Sequence, residues 1–183
     1  MTSLHLQSTP AAPVRHRGNH ELHVLLLIGY LALLAPMARA AEFAIEAGQS
    51  WSGKSGLGTT HAGFIQIGSG HRHPLLRGKL QIQPVVTAGF VAGRGQGIHR
   101  RDAWLAGAGL RVTRPGHGRK HWFCESFLLA SSGDTPSLSG HLQFANGFGY
   151  AHGSWEVKAR HISNAGLHEP NHGETMLLMG YRF

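Results

Sequence analysis

The sequence has little cysteine, few acidic residues and, after its first forty residues, no long apolar run. Cys124 is the one cysteine, so an intrachain disulfide is excluded even in an oxidising compartment. Lys and Arg number 17 against 9 Asp and Glu, which gives a net charge of +8 and suggests an anionic partner. A transmembrane helix needs roughly 20 consecutive apolar residues, and residues 41–183 contain no such run.

Residues 1–40 have the pattern of an export signal. Arg15 and Arg17 form the positive segment, an apolar stretch follows, and Ala38-Arg39-Ala40 matches an Ala-x-Ala cleavage site. We predict cleavage near Ala40 and a mature domain over residues 41–183, with an uncleaved signal anchor as the alternative. Export argues against nucleic acid as the partner of the basic chain and favours phosphorylated lipid head groups.

The mature domain alternates between apolar and polar side chains, as strands with two different faces do. In one run, Trp104 and Leu110 fall on one face, whereas Gly107 and Arg111 fall on the other. Clusters of Gly, Pro, Ser, His and Arg separate eight such runs. These runs are 42–51, 60–68, 79–91, 102–113, 121–130, 138–148, 153–163 and 174–183. The pattern predicts an all-β protein, an eight-stranded antiparallel transmembrane barrel of the outer-membrane type.

The last run favours this barrel over a secreted β-sandwich. Leu177, Met179, Tyr181 and Phe183 share one face, and the run ends on the aromatic residue. Such a strand resembles the sorting signal of bacterial outer-membrane barrels. The opposite faces of the runs carry Gln, Thr, Gly, Glu and Arg, which suit a small polar lumen filled by side chains.

The seventh run carries a histidine and a serine two residues apart. Continued from Trp155, the alternation places His161 and Ser163 on the same face, about 6–7 Å apart at the backbone. Side chains at that spacing can form the hydrogen bond that activates a serine nucleophile. The turn residues between 164 and 173 predict a hairpin that brings Glu174 back beside His161 as the third member of a triad. With both termini in the periplasm, strand parity places the pair at the outer leaflet, facing lipid.

These residues also carry a family resemblance. The segment His161-Ile-Ser-Asn-Ala-Gly166, followed by Pro170-Asn-His-Gly-Glu174, resembles the signature of lipid A 3-O-deacylases, the PagL family of outer-membrane β-barrel esterases. The match is weaker in Leu142-Gln-Phe-Ala-Asn146. The resemblance implies that Ser163 is the nucleophile, that His161 is the general base, and that a glutamate orients the imidazole.

Three expectations about the site follow from the resemblance and from strand parity. Glu174 is the predicted orienting acid, but it counts with the inner face of its strand, so Glu169 in the loop is the alternative. Asn164, Gly166 and Asn171 are expected to bind substrate or to donate hydrogen bonds to an oxyanion, each worth about 2.7–4 kcal/mol. No metal or other cofactor is expected.

Two basic features outside this segment have simpler interpretations. His71 and His73 are spaced like a metal pair but have no acidic or thiol partner nearby, so a solvated turn is favoured. Arg94, Arg100 and Arg101 lie in one predicted extracellular loop and could bind lipid A phosphates, with solvated loop charge as the alternative.

The sequence thus predicts an outer-membrane esterase that hydrolyses the 3-O-linked acyl chain of lipid A by a Ser-His-Glu mechanism. The alternative is a non-catalytic small barrel with a structural or lipopolysaccharide-binding role. The set formed by His161, Ser163, Asn164 and a nearby glutamate favours the enzyme, because a structural barrel has no reason to assemble it. Expected partners are lipid A and the outer membrane, with no nucleic acid, while acyl-chain preference and formation of a homodimer stay open.

Overall fold

Strands account for all the regular structure in the part of the chain that the computed structural model describes, residues 41–54, 56–94, 101–116, 119–131 and 135–183. They are β1 (Glu42–Ser52), β2 (Thr59–Gly68), β3 (His73–Leu75), β4 (Leu80–Val91), β5 (Ala103–Arg114), β6 (Lys120–Ser131), β7 (Leu142–His152), β8 (Trp155–Ser163) and β9 (Glu174–Arg182). Within these residues no helix is long and apolar enough to cross a membrane. The predicted export signal and its cleavage site lie outside the described residues.

The eight long strands close into an antiparallel barrel. Strands β4 to β9 pair in chain order, β9 pairs with β1, β1 pairs with β2, and β2 closes the ring on β4. Closure leaves none of the eight long strands with an unpaired edge. The predicted eight-stranded antiparallel barrel is confirmed. The short strand β3, which the sequence did not predict, is an arm of the basic turn and pairs with the beginning of β4.

Alternate residues of each strand face the lumen and the exterior. Along β8, Glu156, Lys158 and Arg160 are buried inside, whereas Trp155 and Val157 are exposed outside. Exposed large apolar side chains also occur on the outer faces of β1, β2, β5, β6, β7 and β9. An apolar exterior around a polar interior is the pattern of a barrel that spans a membrane.

The lumen is filled by a cluster of paired charges, here called the interior cluster. Its members are Glu46, Arg111, Glu125, Glu156, Lys158 and Arg160. Lys158 Nζ lies 2.5 Å from Glu46 Oε1 and 3.0 Å from Glu125 Oε2, and Arg160 Nη2 lies 3.1 Å from Glu125 Oε2. Three carboxylates thus face three cations, which compensates the desolvation of each charge. The cluster joins strands from several sides of the barrel into a rigid frame.

The two ends of the barrel differ in the length of their connections. At the end where β8 stops and β9 starts, here called the upper rim, the connections are 53–58, 92–102, 132–141 and 164–173. At the opposite end, the link between β7 and β8 is only Gly153-Ser154, and the long link between β2 and β4 is partly ordered as β3. Outer-membrane barrels typically have long extracellular loops and short periplasmic turns. Three of the four connections at the upper rim have ten or eleven residues, as strand counting predicts for the extracellular end.

Candidate active site

His161 stands on the outer face of β8, close to the upper rim. It is exposed, as are Trp155 and Val157 below it on the same face. The register pairs His161 with Thr175 on β9, and the His161 Nδ1 atom lies 2.9 Å from the Thr175 hydroxyl oxygen. A hydrogen bond at Nδ1 fixes the ring orientation and leaves Nε2 available to another group.

Gly173 completes the environment of the imidazole. A Cβ atom at this position would lie 2.8 Å from His161 Cε1 and 3.1 Å from Nε2, so the ring occupies space that any other residue would need. The backbone of Gly173 also has φ of +65°, which a residue with a side chain adopts only at a cost. The turn before β9 therefore requires glycine for two separate reasons, and the first of them leaves room for the His161 ring.

Ser163 is the last residue of β8 and lies opposite Phe144 of β7. It is half-buried and shares the outer face with His161, as strand alternation predicts. Within the described residues, the Ser163 hydroxyl makes no hydrogen bond, and none joins it to His161. Catalytic hydrogen bonds of unliganded enzymes are often long and tighten only with substrate bound. The structure thus brings the base and the hydroxyl to one face without joining them.

Glu174 does not occupy the position predicted for it. Its side chain is 1% exposed and points into the lumen, where Arg94 binds both carboxylate oxygens at 2.7 and 2.8 Å. The Ser50 hydroxyl donates a further hydrogen bond of 2.5 Å to Glu174 Oε2. Because neighbouring residues of a strand face opposite sides, Thr175 faces His161 in its place. The acid is absent from the outer face because the strand register sends it inside.

Asn164 and Gly166, the predicted oxyanion donors, have their hydrogen-bonding groups engaged within the rim loops. The buried Asn164 side chain donates from Nδ2 to the carbonyls of Ser139, at 2.9 Å, and His168, at 2.7 Å. Its Oδ1 accepts the backbone N–H of Gly166 at 2.9 Å. These contacts make Asn164 the residue that fixes the loop after β8 to the loop before β7, and they correct its predicted role as a donor to substrate.

Asn171 remains as a candidate donor near Ser163. Its Oδ1 lies 3.5 Å from the backbone N of Asn164, the residue that follows Ser163. No hydrogen bond of the Asn171 Nδ2 group occurs within the described residues, and the side chain is half-buried. Glu169, the alternative acid, is exposed, and its Oε2 accepts the backbone N–H of Asn171 at 3.3 Å.

Two polar residues beside His161 were given no role from the sequence, although Asn146 lies in the weaker part of the family match. Thr175 lies across from it on β9, and Asn146 lies across from it on β7. Both side chains are exposed on the outer face, where the surrounding residues are mostly apolar. Polar residues that interrupt an apolar outer series were the signal that could have found them, because such residues are unfavourable in a membrane unless they serve a function.

The basic residues considered above fall outside this arrangement. Arg94 is held inside by Glu174, which corrects the expectation that it binds phosphate; Arg101 is exposed at the upper rim, and Arg100 lies outside the described residues. The rings of His71 and His73 pack edge to face at the opposite end of the barrel. The described residues contain one group of three candidate metal ligands, the carboxylates of the interior cluster, and these are already paired with cations.

A cleft of about 240 Å³ lies at the upper rim, and Asn164, the residue after Ser163, is part of its lining. Its lining includes Leu142, the exposed first residue of β7, together with Asn164, Leu167 and the two histidines His141 and His168. Apolar and basic groups thus meet within one cleft. A larger apolar groove of about 650 Å³ is lined by residues of β1, β2, β4, β5 and β6, and no residue of β8 or β9 lines it.

Comparisons with known proteins identify a family and a solved barrel of the same fold. Residues 39–183 match the family model described as lipid A 3-O-deacylase (PagL). The crystal structure of the outer membrane enzyme PagL superposes with a TM-score of 0.52 at 16% identity, covering 79% of this chain and 99% of that one. The Yersinia pestis outer membrane protein Ail in a nanodisc gives a TM-score of 0.43 at 13% identity, covering 79% of this chain and 100% of its own. Curated protein sequences give no match. The chain belongs to the lipid A 3-O-deacylase (PagL) family.

Proposed function

We propose that this protein is an outer-membrane esterase that removes the 3-O-linked acyl chain of lipid A, with Ser163 as nucleophile and His161 as general base. One observation carries the proposal. The His161 imidazole is held between Thr175 and Gly173 on the same outer face as the half-buried Ser163 hydroxyl. Family membership supports the hydrolase class, the lipid A substrate and the outer-membrane location.

The chemistry follows from two side chains on one strand face. His161 Nε2 takes the proton of the Ser163 hydroxyl as its oxygen attacks the ester carbonyl. The tetrahedral intermediate collapses, the imidazolium returns the proton to the departing sugar alkoxide, and an acyl-serine remains. Water then attacks the acyl-serine with His161 again as base, which releases the fatty acid and restores both groups. Asn171 is the side chain proposed to stabilise the oxyanion, since its amide group lies next to the residue that follows Ser163.

The position of the site suits a substrate that stays in the membrane. The outer face carries exposed apolar residues directly below His161, and the cleft at the upper rim is lined in part by Asn164, which follows Ser163. Strand parity supports a position of this rim at the outer leaflet. An acyl chain could therefore lie along the outer face of β8 while the sugar and its phosphates contact His141 and His168 in the cleft.

Replacement of Ser163 tests the proposal directly. Lipid A from cells that produce the protein should lack one acyl chain by mass spectrometry, and Ser163→Ala should abolish the change, since loss of a triad nucleophile costs about 10⁴–10⁶ in rate. Ser126→Ala, at an exposed serine on the outer face of β6, is the matched control and should retain activity.

Gel migration that depends on heating shows that each barrel is folded. Deacylation by a folded Ser163→Ala barrel would remove Ser163 from the mechanism. Unaltered lipid A with the folded wild-type barrel would favour the non-catalytic alternative.

A further inference from the structure

We infer that Thr175 is the positioning residue that orients His161, in the role for which the sequence predicted a carboxylate. The inference rests on the proposed esterase function and deepens it. Thr175 touches the imidazole at Nδ1, at 2.9 Å, and is the immediate cross-strand neighbour of His161. Nothing in this arrangement requires the hydroxyl to contact the substrate.

Within the described residues, no carboxylate forms a hydrogen bond with His161. Glu174 is held in the lumen by Arg94 and Ser50. The Glu169 carboxylate accepts a hydrogen bond from the backbone N–H of Asn171. Thr175 is therefore the group that meets the requirement for a hydrogen-bond partner at Nδ1, which a histidine base needs for a defined ring orientation.

The Thr175 hydroxyl can also set the tautomer of the His161 imidazole that a general base requires. When Nδ1–H donates to the Thr175 oxygen, Nε2 carries a lone pair and can accept the proton of Ser163. During the reaction the proton moves from Ser163 to Nε2 and then to the leaving alkoxide, while Thr175 keeps its own proton. A neutral acceptor stabilises the imidazolium less than a carboxylate does, so the contribution of Thr175 should be smaller than that of an acid in a Ser-His-Asp triad.

The position of Thr175 is determined by the two residues that precede it. Glu174 is anchored inward by Arg94, so the alternation of β9 turns Thr175 outward. Gly173, with φ of +65°, starts the strand at this register and leaves room for the imidazole. Thr175 itself is exposed and fills no core space, so the barrel does not depend on its side chain.

Conservative replacements separate the hydroxyl from the shape of the side chain. Thr175→Val removes the hydroxyl with little change in volume, and Thr175→Ser keeps it. Thr59→Val, at an exposed threonine at the upper rim on β2, is the matched control. Each purified barrel would be assayed in detergent micelles by the release of fatty acid from lipid A over a range of lipid A concentrations, with Ser163→Ala as the inactive reference.

We expect Thr175→Val to lower kcat on the order of 10-fold, which corresponds to about 1.4 kcal/mol, with KM unchanged. Thr175→Ser should restore most of the lost rate, and Thr59→Val should match the wild type. Wild-type kcat in folded Thr175→Val would overturn the inference, and so would an equal loss in the valine and serine variants. Activity of Ser163→Ala equal to that of the wild type would instead refute the proposed function.

Discussion

The lumen and the outer face of β8 use polar residues in opposite ways. Lys158 and Arg160 point inward, are 1% exposed and bind carboxylates of other strands. His161 and Ser163 point outward at the end of the same strand, and within the described residues their side chains make a single hydrogen bond, that of His161 to Thr175. Buried charges that are fully paired hold a structure together, whereas exposed polar groups with unused hydrogen-bonding capacity are available for chemistry.

Glu174 and Thr175 show how a single step along a strand separates the two uses. Glu174 joins β9 to Arg94 and Ser50 inside the barrel, and Thr175 contacts His161 outside. A shift of one residue in the register would exchange their roles. The chemistry of the outer site therefore depends on how firmly the inner contacts fix that register.

The largest effect should come from breaking the interior cluster. Glu125→Gln removes a charge that binds Arg111, Lys158 and Arg160, and the loss of one partner of a buried ion pair costs about 3–5 kcal/mol. We expect a clear fall in the temperature at which the purified barrel loses its compact migration on gels. Activity per folded molecule should stay near that of the wild type, because the cluster does not touch substrate.

Ser126→Ala, one residue away on the outer face, is the control for this change. Wild-type thermal stability of Glu125→Gln would contradict the view that the interior charges stabilise the barrel.

The second effect concerns catalysis at the outer site. Asn171→Ala should lower kcat by about 10²–10³, the usual cost of one oxyanion donor, and leave thermal stability close to that of the wild type. Asn171→Asp keeps an acceptor for the Asn164 backbone N–H but has no amide donor, so it should lose activity as well. Kinetics on micellar lipid A would measure both variants. Full activity of Asn171→Asp would assign Asn171 a role in holding the loop.

The sequence predicts the barrel well because its signals are local. Period-two alternation and clusters of turn residues identify all eight long strands and place Trp155, His161 and Ser163 on the outer face. The three-residue β3 lies inside a basic turn and is too short to show a period. The long strands and their outward faces are predicted because alternation depends only on residues that are close together in the sequence.

Contacts between distant segments account for the parts of the site that the sequence did not predict. The interior position of Glu174 depends on Arg94, eighty residues earlier in the chain, and the loop role of Asn164 depends on Ser139 in another rim loop. Motif spacing suggested a glutamate beside His161 because that is the usual chemistry of such a triad. The alternation of the last run already counted Glu174 with the inner face, but the ion pair with Arg94 that holds it there is not visible in any local pattern.

The smallest effects should come from replacing the two glutamates at the turn. Comparing Glu174, which faces the lumen, with Glu169, which lies in the exposed loop, tests whether either carboxylate serves the outer site. Glu174→Gln weakens charged hydrogen bonds inside the barrel, so we expect a stability loss of about 1.5–3 kcal/mol with most of the activity per folded molecule retained. Glu169→Gln, at an exposed loop position, should leave stability and kcat close to the wild type. Thermal gel shifts and lipid A kinetics on both variants check this. Loss of all activity in a stable Glu174→Gln barrel would show that this carboxylate reaches the outer site during catalysis, and the same result for Glu169→Gln would assign the orienting acid to the loop.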